Sequence, residues 1–198
     1  MRTQYSKGFT MTELMVVVAV IGILGGVIVP TGINAWRTQQ VNAAVAELEG
    51  WLAGVQRSTD QNNVSCRVLI NTGTLLSQAA LATATAITPG TTTAASGVVC
   101  GTNDSVRLPG LGGGNFSVAT SFTGNQFYFT QRGAISTDNV GGLSKVSGAD
   151  NNLSIRISAD GQIPTACLRL SGMLGLMRRG WNNSSGSTAT ECTTWGAL

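Results

Sequence analysis

The residue types that most often carry out chemistry are sparse in this chain. It contains no histidine, so Ser-His-Asp and Cys-His catalysis are excluded and the commonest zinc ligand is missing. The cysteines, Cys66, Cys100, Cys167 and Cys192, stand far apart, unlike the CxxC pairs of metal knuckles and dithiol redox sites. We therefore predict that the protein is not an enzyme, with no catalytic residue, no metal site and no cofactor.

A glycine-rich run and four aspartates resemble ligand sites only superficially. The run LPGLGGG at residues 108–114 lacks the Lys-Ser/Thr ending and the following helix of a phosphate loop, so we expect a plain loop. The aspartates lie in turn contexts beside Gly or Asn, without the closely spaced acids of a calcium loop: Asp104, Asp138, Asp150 and Asp160.

One acid stands inside a long apolar run. Glu13 is the only charged residue in FTMTELMVVVAVIGILGGVIVP, residues 9–30, a length that suits the roughly 20 residues needed to span a bilayer core. An acid in hydrocarbon costs about 2.5 to 3.5 kcal/mol on insertion scales, so a plain membrane anchor leaves Glu13 unexplained. A secretory signal would instead have its cleavage site after the apolar run. Arg2 and Lys7 place the N-terminus in the cytoplasm by the positive-inside rule.

The stretch KGFTMTELMVVVAVIGILGGVIVP resembles the class III signal of type IV pilins and type II secretion pseudopilins. The resemblance implies that a prepilin peptidase cleaves between Gly8 and Phe9 and methylates the new amino group of Phe9, so that the apolar helix is retained. A carboxylate in the first turn complements the helix dipole. The resemblance implies that Glu13 also pairs with the ammonium of a neighbouring subunit during assembly.

The end of the apolar run carries residues that disturb helices. Pro30 removes one backbone donor and clashes with the preceding turn, so we expect a kink or local melting near residues 25–30. The resemblance implies an unwound zone here in assembled pili. Gly25 and Gly26 belong to the same predicted helix break, with close helix packing as the alternative role.

Beyond Pro30 the pattern changes to that of an amphipathic helix. Apolar residues recur at alternating steps of four and three, at Val41, Val45, Leu48, Leu52 and Val55, and we expect this face to pack on a sheet of the same chain. The run RSTDQNN at residues 57–63 is expected to end the helix in a turn.

Short β-rich runs follow, separated by Gly, Asn, Asp and Pro as in antiparallel strands joined by turns. They are SCRVLIN from Ser65, VVC from Val98, SVRL from Ser105, FSVAT from Phe116, QFYFT from Gln126, LSIRI from Leu153 and TACLRL from Thr165. The predicted fold class is α+β, a long N-terminal α-helix, membrane-spanning in its first half and amphipathic in its second, packed on a mainly antiparallel β-sheet. The resemblance implies the pilin fold.

The expected divisions are a prepilin leader at residues 1–8, a transmembrane or filament-core helix at 9–30, the amphipathic half at 31–57 and a periplasmic β-rich domain at 58–198. Two biased segments are expected to lack strands: a Thr/Ala-rich exposed loop at 72–97 and a Gly/Ser/Asn tail at 180–190.

The formal charge of +3 without a basic block argues against a nucleic-acid protein in general.

Disulfide bonds are the favoured role of the cysteines, because an even count in an exported chain indicates an oxidising compartment. Four cysteines allow three pairings. We favour the pairing nearest in sequence. The Cys66–Cys100 bond would close the Thr/Ala-rich loop, and the Cys167–Cys192 bond would tether the C-terminal tail.

Outside the signal, the chain is similar to the GspH/FimT/FimU group of minor pilins and pseudopilins. The similarity lies in the helix end from Trp51 into SCRVLIN, in FYFTQRG, in LSIRISADG and in a C-terminal cysteine. It implies a structural minor pilin at or near the tip of a type IV pilus, with a type II secretion pseudopilin or a major pilin as alternatives. The implied partners are other pilins, the prepilin peptidase and the inner-membrane assembly platform. The implied location is the bacterial inner membrane, with a periplasmic C-terminal domain, and then the filament.

A separate hypothesis concerns DNA, because some FimT-like minor pilins bind DNA through a basic C-terminal region in natural transformation. The fragment LMRRGW is basic and aromatic, although it does not reproduce the Gly-Arg-x-Arg pattern of those binders. Solvated arginines are the favoured interpretation of Arg156, Arg169, Arg178 and Arg179. DNA contact by Arg178, Arg179 and Trp181 is the alternative.

Overall fold

The computed structural model describes residues 8–88, 94–95, 97–101, 103–110, 114–131, 133–137, 152–159, 162–172, 175–182, 192 and 194–196, with the backbone alone at 25–34, 123 and 162–164. The chain divides into two compact units, Met1–Arg37 and Thr38–Leu198. This boundary falls within the first element, the helix α1 (Met11–Asn62).

Helix α1 continues through the segment where the sequence predicted local melting. Gly25, Gly26 and Pro30 are all helical in the structure, so the expected melting is absent from this single chain. Proline removes only one backbone donor, and the intrahelical bonds of the flanking turns remain available to hold the helix. A kink at Pro30 stays a prediction. The helix ends beyond residue 57, at Asn62, where Asn63 takes a left-handed conformation with a φ of 52°.

Two antiparallel sheets make up the rest of the described fold. Their strands are β1 (Ser65–Ile70), β2 (Gly73–Leu76), β3 (Ala80–Ile87), β4 (Ser105–Arg107), β5 (Asn115–Thr120), β6 (Gln126–Phe129), β7 (Ile135–Ser136), β8 (Asn152–Ala159), β9 (Gln162–Ser171), β10 (Met177–Asn182) and β11 (Thr194–Trp195). The five-stranded sheet has the order β4-β3-β1-β6-β7, and the six-stranded sheet has the order β11-β10-β9-β8-β5-β2. This is an α+β arrangement consistent with the pilin fold.

Three local predictions about strands were wrong. The segment 72–97 is not one exposed loop, because β2 and β3 lie within it and β3 pairs with both β1 and β4. Its Ala/Thr alternation suits a strand whose inner face carries small, buried alanines, Ala82, Ala84 and Ala86. Strand β10 extends into the predicted tail as far as Asn182. The run VVC at residues 98–100 forms no strand.

The predicted apolar face of α1 forms the centre of the core of the second unit. Val41, Val45, Leu48, Leu52 and Val55 are all at most 2% exposed, and they belong to one cluster with inner residues of both sheets. Burial of each such side chain contributes about 1.5–3 kcal/mol. The inward-facing set predicted for β8, Leu153, Ile155 and Ile157, is buried as well.

Both disulfides join the cysteines nearest in sequence, which is the pairing the sequence analysis favoured. The Cα atoms are 6.0 Å apart in Cys66–Cys100 and 6.1 Å apart in Cys167–Cys192. Two side chains of α1 hold the segment around Cys100 as well. Trp51 donates its indole N–H to Asn103 O at 2.9 Å, and Ser58 donates its hydroxyl to Val99 O at 3.0 Å. The first disulfide is thus one of several ties between this segment and the core.

Candidate functional site

The residues at the predicted cleavage site precede helix α1. Gly8, Phe9 and Thr10 lie outside the helix, and Phe9 is 81% exposed. A Cβ atom built on Gly8 would meet no other atom within 4 Å, so nothing in the described fold requires glycine at this position. Residues 1–7 of the predicted leader lie outside the described residues.

Thr10 is the N-cap of helix α1. Its Oγ1 accepts a hydrogen bond from the backbone N–H of Glu13 at 3.4 Å, and its carbonyl oxygen accepts the first helical bond from Leu14 N at 3.2 Å. A threonine at the N-cap with a glutamate three positions later is the sequence pattern of a capping box. The pattern fixes Glu13 in the first turn, where a carboxylate complements the helix dipole. Sequence reasoning missed Thr10, although the spacing Thr-x-x-Glu was there to find it.

From Leu14 to residue 24, helix α1 carries no charged or polar side chain on any side. All the described side chains of residues 11–24 are exposed, including Leu14 (60%), Ile21 (63%) and Ile23 (72%). A helix that is hydrophobic all round is normally surrounded by other apolar material. Within the part of the chain that the structure describes, no helix has the length and apolar character required to cross a membrane.

Residues 3–29 match the family model described as the prokaryotic N-terminal methylation motif. The chain therefore carries the class III signal, which is consistent with type IV pilin-like proteins. The signal implies processing by a prepilin peptidase and assembly with other pilins, in a family that is generally structural and membrane-anchored. No significant match was found among the curated proteins or among the solved structures.

The basic residues predicted as an alternative DNA contact lie on β10, but not on one face of it. Neighbouring side chains of a strand point to opposite faces of the sheet. Arg178 stands opposite Arg169 of β9, whereas Arg179 stands opposite the buried Leu168 and Trp181 opposite the buried Ala166. Arg178 therefore lies on the other face of the sheet from Arg179 and Trp181.

Each of these arginines also has a partner within the chain. Arg179 forms an ion pair with Glu49 of helix α1, and Arg178 donates from Nη2 to the carbonyl oxygen of Gly196 at 3.2 Å. The guanidinium of Arg169 lies over the ring of Trp195, 4.3 Å from its centroid. The partners Glu49 and Trp195 were not predicted, because both are distant in sequence from the strands that they meet.

In the described residues, the turn aspartates and the glycine-rich run do not come together as a metal or phosphate site. Where the structure describes the chain, no three His, Cys, Asp or Glu side chains are grouped to hold a metal ion. Of the turn aspartates, Asp104 is described, and Asp138, Asp150 and Asp160 lie outside the described residues. Residues 111–113 of the LPGLGGG run also lie outside them, and its described residues are not helical.

Proposed function

We propose that this chain is a structural minor pilin of a type IV pilus, incorporated at or near the filament tip and helping to initiate pilus assembly. The observation that carries the proposal is the class III signal at residues 3–29, which continues into an exposed apolar helical segment and an α+β unit. The similarity of FYFTQRG and LSIRISADG to the GspH/FimT/FimU group supports a minor subunit over a major one.

In this proposal the apolar segment has two successive partners. Before processing, it anchors the chain once in the inner membrane, with the N-terminus cytoplasmic and the C-terminal domain periplasmic. After the prepilin peptidase has cleaved between Gly8 and Phe9 and methylated Phe9, the assembly platform transfers the segment from lipid to the helices of other pilins. The apolar helices of successive copies bundle in the filament core. Because the contact between copies is heterologous and does not close, the copies form an open, helical filament.

Glu13 provides the specific contact in this transfer. Cleavage turns Phe9 into a cationic N-terminus, and the carboxylate of Glu13 in the first helical turn can meet the corresponding ammonium of a neighbouring subunit. In a low-dielectric surrounding, such a pair is far stronger than in water, and an unpaired carboxylate there is costly. The pairing therefore favours subunits in correct register and disfavours others.

The test uses a strain deleted for the gene and complemented with full-length variants. We expect Glu13→Leu and Glu13→Gln to abolish the restoration of piliation, while membrane levels of the subunit stay normal. Glu47→Gln is the matched control, because Glu47 is an exposed acid further along the same helix. Wild-type piliation with Glu13→Leu would overturn the role of Glu13.

A type II secretion pseudopilin is the alternative, since the same signal serves that machine. The same strains separate the two functions, because secreted enzyme activity and surface pili are scored in parallel. Loss of pili with normal secretion supports the minor pilin. Loss of secretion with normal pili would replace it with the pseudopilin, and the paired cysteines favour the pilus.

A further inference from the structure

Two arginines lie opposite each other in the six-stranded sheet, an arrangement that lowers the stability of the sheet. Arg169 of β9 and Arg178 of β10 are directly opposite in the antiparallel register, and like charges in such positions destabilise a sheet. Among the described residues, the buried Nε atoms of both side chains have no hydrogen-bond partner, which adds a desolvation cost. We call these two residues the arginine pair.

The described residues near the C-terminus are Cys192 and 194–196, and we call them the C-terminal cap. The ring of Trp195 lies against the guanidinium of Arg169, 4.3 Å from the ring centroid. The carbonyl oxygen of Gly196 accepts a hydrogen bond from Arg178 at 3.2 Å, and Gly196 N donates to Arg179 O at 2.9 Å. The cap thus supplies a partner to each arginine of the pair.

Gly180 of β10 leaves room for the cap. It stands opposite Trp195 in the pairing of β10 with β11. A Cβ atom on residue 180 would lie 2.6 Å from Trp195 Cε3 and 2.8 Å from the carbonyl oxygen of Thr194, which are distances that side chains do not tolerate. The absence of a side chain at residue 180 is therefore a condition for docking of the cap, and in the strand itself glycine is unfavourable.

Non-covalent contacts alone hold the cap weakly. Strand β11 has only two residues, cation–π contacts at partly exposed sites are modest, and release of the cap would let water reach the buried Nε atoms of the arginine pair. The Cys167–Cys192 disulfide supplies the covalent tie, joining the cap to the strand β9 that also carries Arg169.

We propose that the C-terminal cap covers the edge of β10, that the arginine pair and Gly180 form its seat, and that the Cys167–Cys192 bond holds it there. Without the bond, the cap leaves and the β10 edge opens. Exposed strand edges pair with strands of other molecules, so the cap keeps this edge from pairing with other copies of the chain. This role concerns the globular unit and does not depend on the function of the N-terminal segment.

The test is amide hydrogen exchange, resolved to single residues, on the purified full chain in detergent micelles. The amide of Gly196 donates to Arg179 O, and Trp181 pairs with Thr194 of β11. Because backbone groups alternate along a strand, the amide of Trp181 faces β11, whereas the amides of Arg178 and Gly180 face β9. In Cys167→Ser/Cys192→Ser we expect exchange at Trp181 and Gly196 to rise roughly tenfold or more. The amides of Arg178 and Gly180 should stay protected.

Two variants with the disulfide intact test the seat. Arg169→Gln and Trp195→Ala should each raise exchange at Trp181, and Arg107→Gln, which changes an exposed arginine of β4, is the matched control. The proposal is overturned if the double serine variant leaves Trp181 and Gly196 protected, or if it raises exchange equally in β1 and β8. An effect of Arg169→Gln no larger than that of Arg107→Gln would refute the seat.

Discussion

Replacing Thr10 with valine removes one oxygen at the start of helix α1 and keeps the shape of the side chain. The oxygen accepts the hydrogen bond from Glu13 N at 3.4 Å in an exposed position. Loss of an N-cap costs about 0.5–2 kcal/mol. Because this bond is long and solvated, we expect the low end of that range, about 0.5–1 kcal/mol.

This cost should appear as fraying of the first turn rather than as loss of the helix. Since about 1.4 kcal/mol corresponds to a factor of ten, the open population of the first turn should rise roughly two- to fivefold. The folded unit Thr38–Leu198 should be unaffected, because Thr10 belongs to the other unit. Fraying would let the carboxylate of Glu13 leave its position beside the N-terminus, so assembly should weaken without being lost.

The assay combines two measurements on the same variants. Amide exchange of Glu13 and Leu14 in the micelle-bound full chain reports the fraying, and the quantity of sheared pili reports the assembly. Thr10→Ser, which keeps the hydroxyl, is the matched control. The reasoning fails if Thr10→Val exchanges like the wild type at Glu13, or if Thr10→Ser is as defective as Thr10→Val.

Three further predictions concern the globular unit, each measured on the full chain. Leu52→Ala should lower the free energy of unfolding by about 2–5 kcal/mol in urea titrations, because Leu52 is 0% exposed, while Leu69→Ala at a 41% exposed site should cost much less; equal losses would contradict the core assignment. Cys66→Ser/Cys100→Ser, which opens a loop with a sequence separation of 34, should cost up to about 4 kcal/mol and leave the exchange of Trp181 unchanged. Arg178→Ala/Arg179→Ala should leave DNA retardation in gels as weak as in the wild type, and salt-dependent binding lost in the variant would contradict this.

The parts of the fold that could be predicted were those with a strong local pattern. The four-and-three spacing from Val41 to Val55 indicated the buried face of α1, and alternation indicated the inner face of β8; both are buried in the structure. Strand β3 was missed because its sequence ALATATAI has the composition of a solvated loop. Its strand state depends on the neighbours β1 and β4, and such tertiary context overrides weak local preference.

The basic residues of β10 show a second limit of sequence reasoning. Reading Arg178, Arg179 and Trp181 as one basic and aromatic surface assumed that neighbours in sequence share a face, which a strand does not allow. Because LMRRGW was not recognised as a strand, the alternation of side chains between the two faces of a sheet was not applied to it. The ion pair with Glu49 and the contact of Arg169 with Trp195 join residues that only the folded chain brings together.

Residues near the two ends of the described chain differ in whether contacts within the chain account for their residue types. Near the C-terminus, Gly180 and Cys167 are accounted for by contacts within the chain, since Trp195 occupies the space beside Gly180 and Cys192 completes the disulfide. At the N-terminus, Gly8 has no neighbour within 4 Å of a built Cβ, and Phe9 is 81% exposed. Both residues lie within the class III signal, which implies that a prepilin peptidase acts there and that the chain assembles with other pilins.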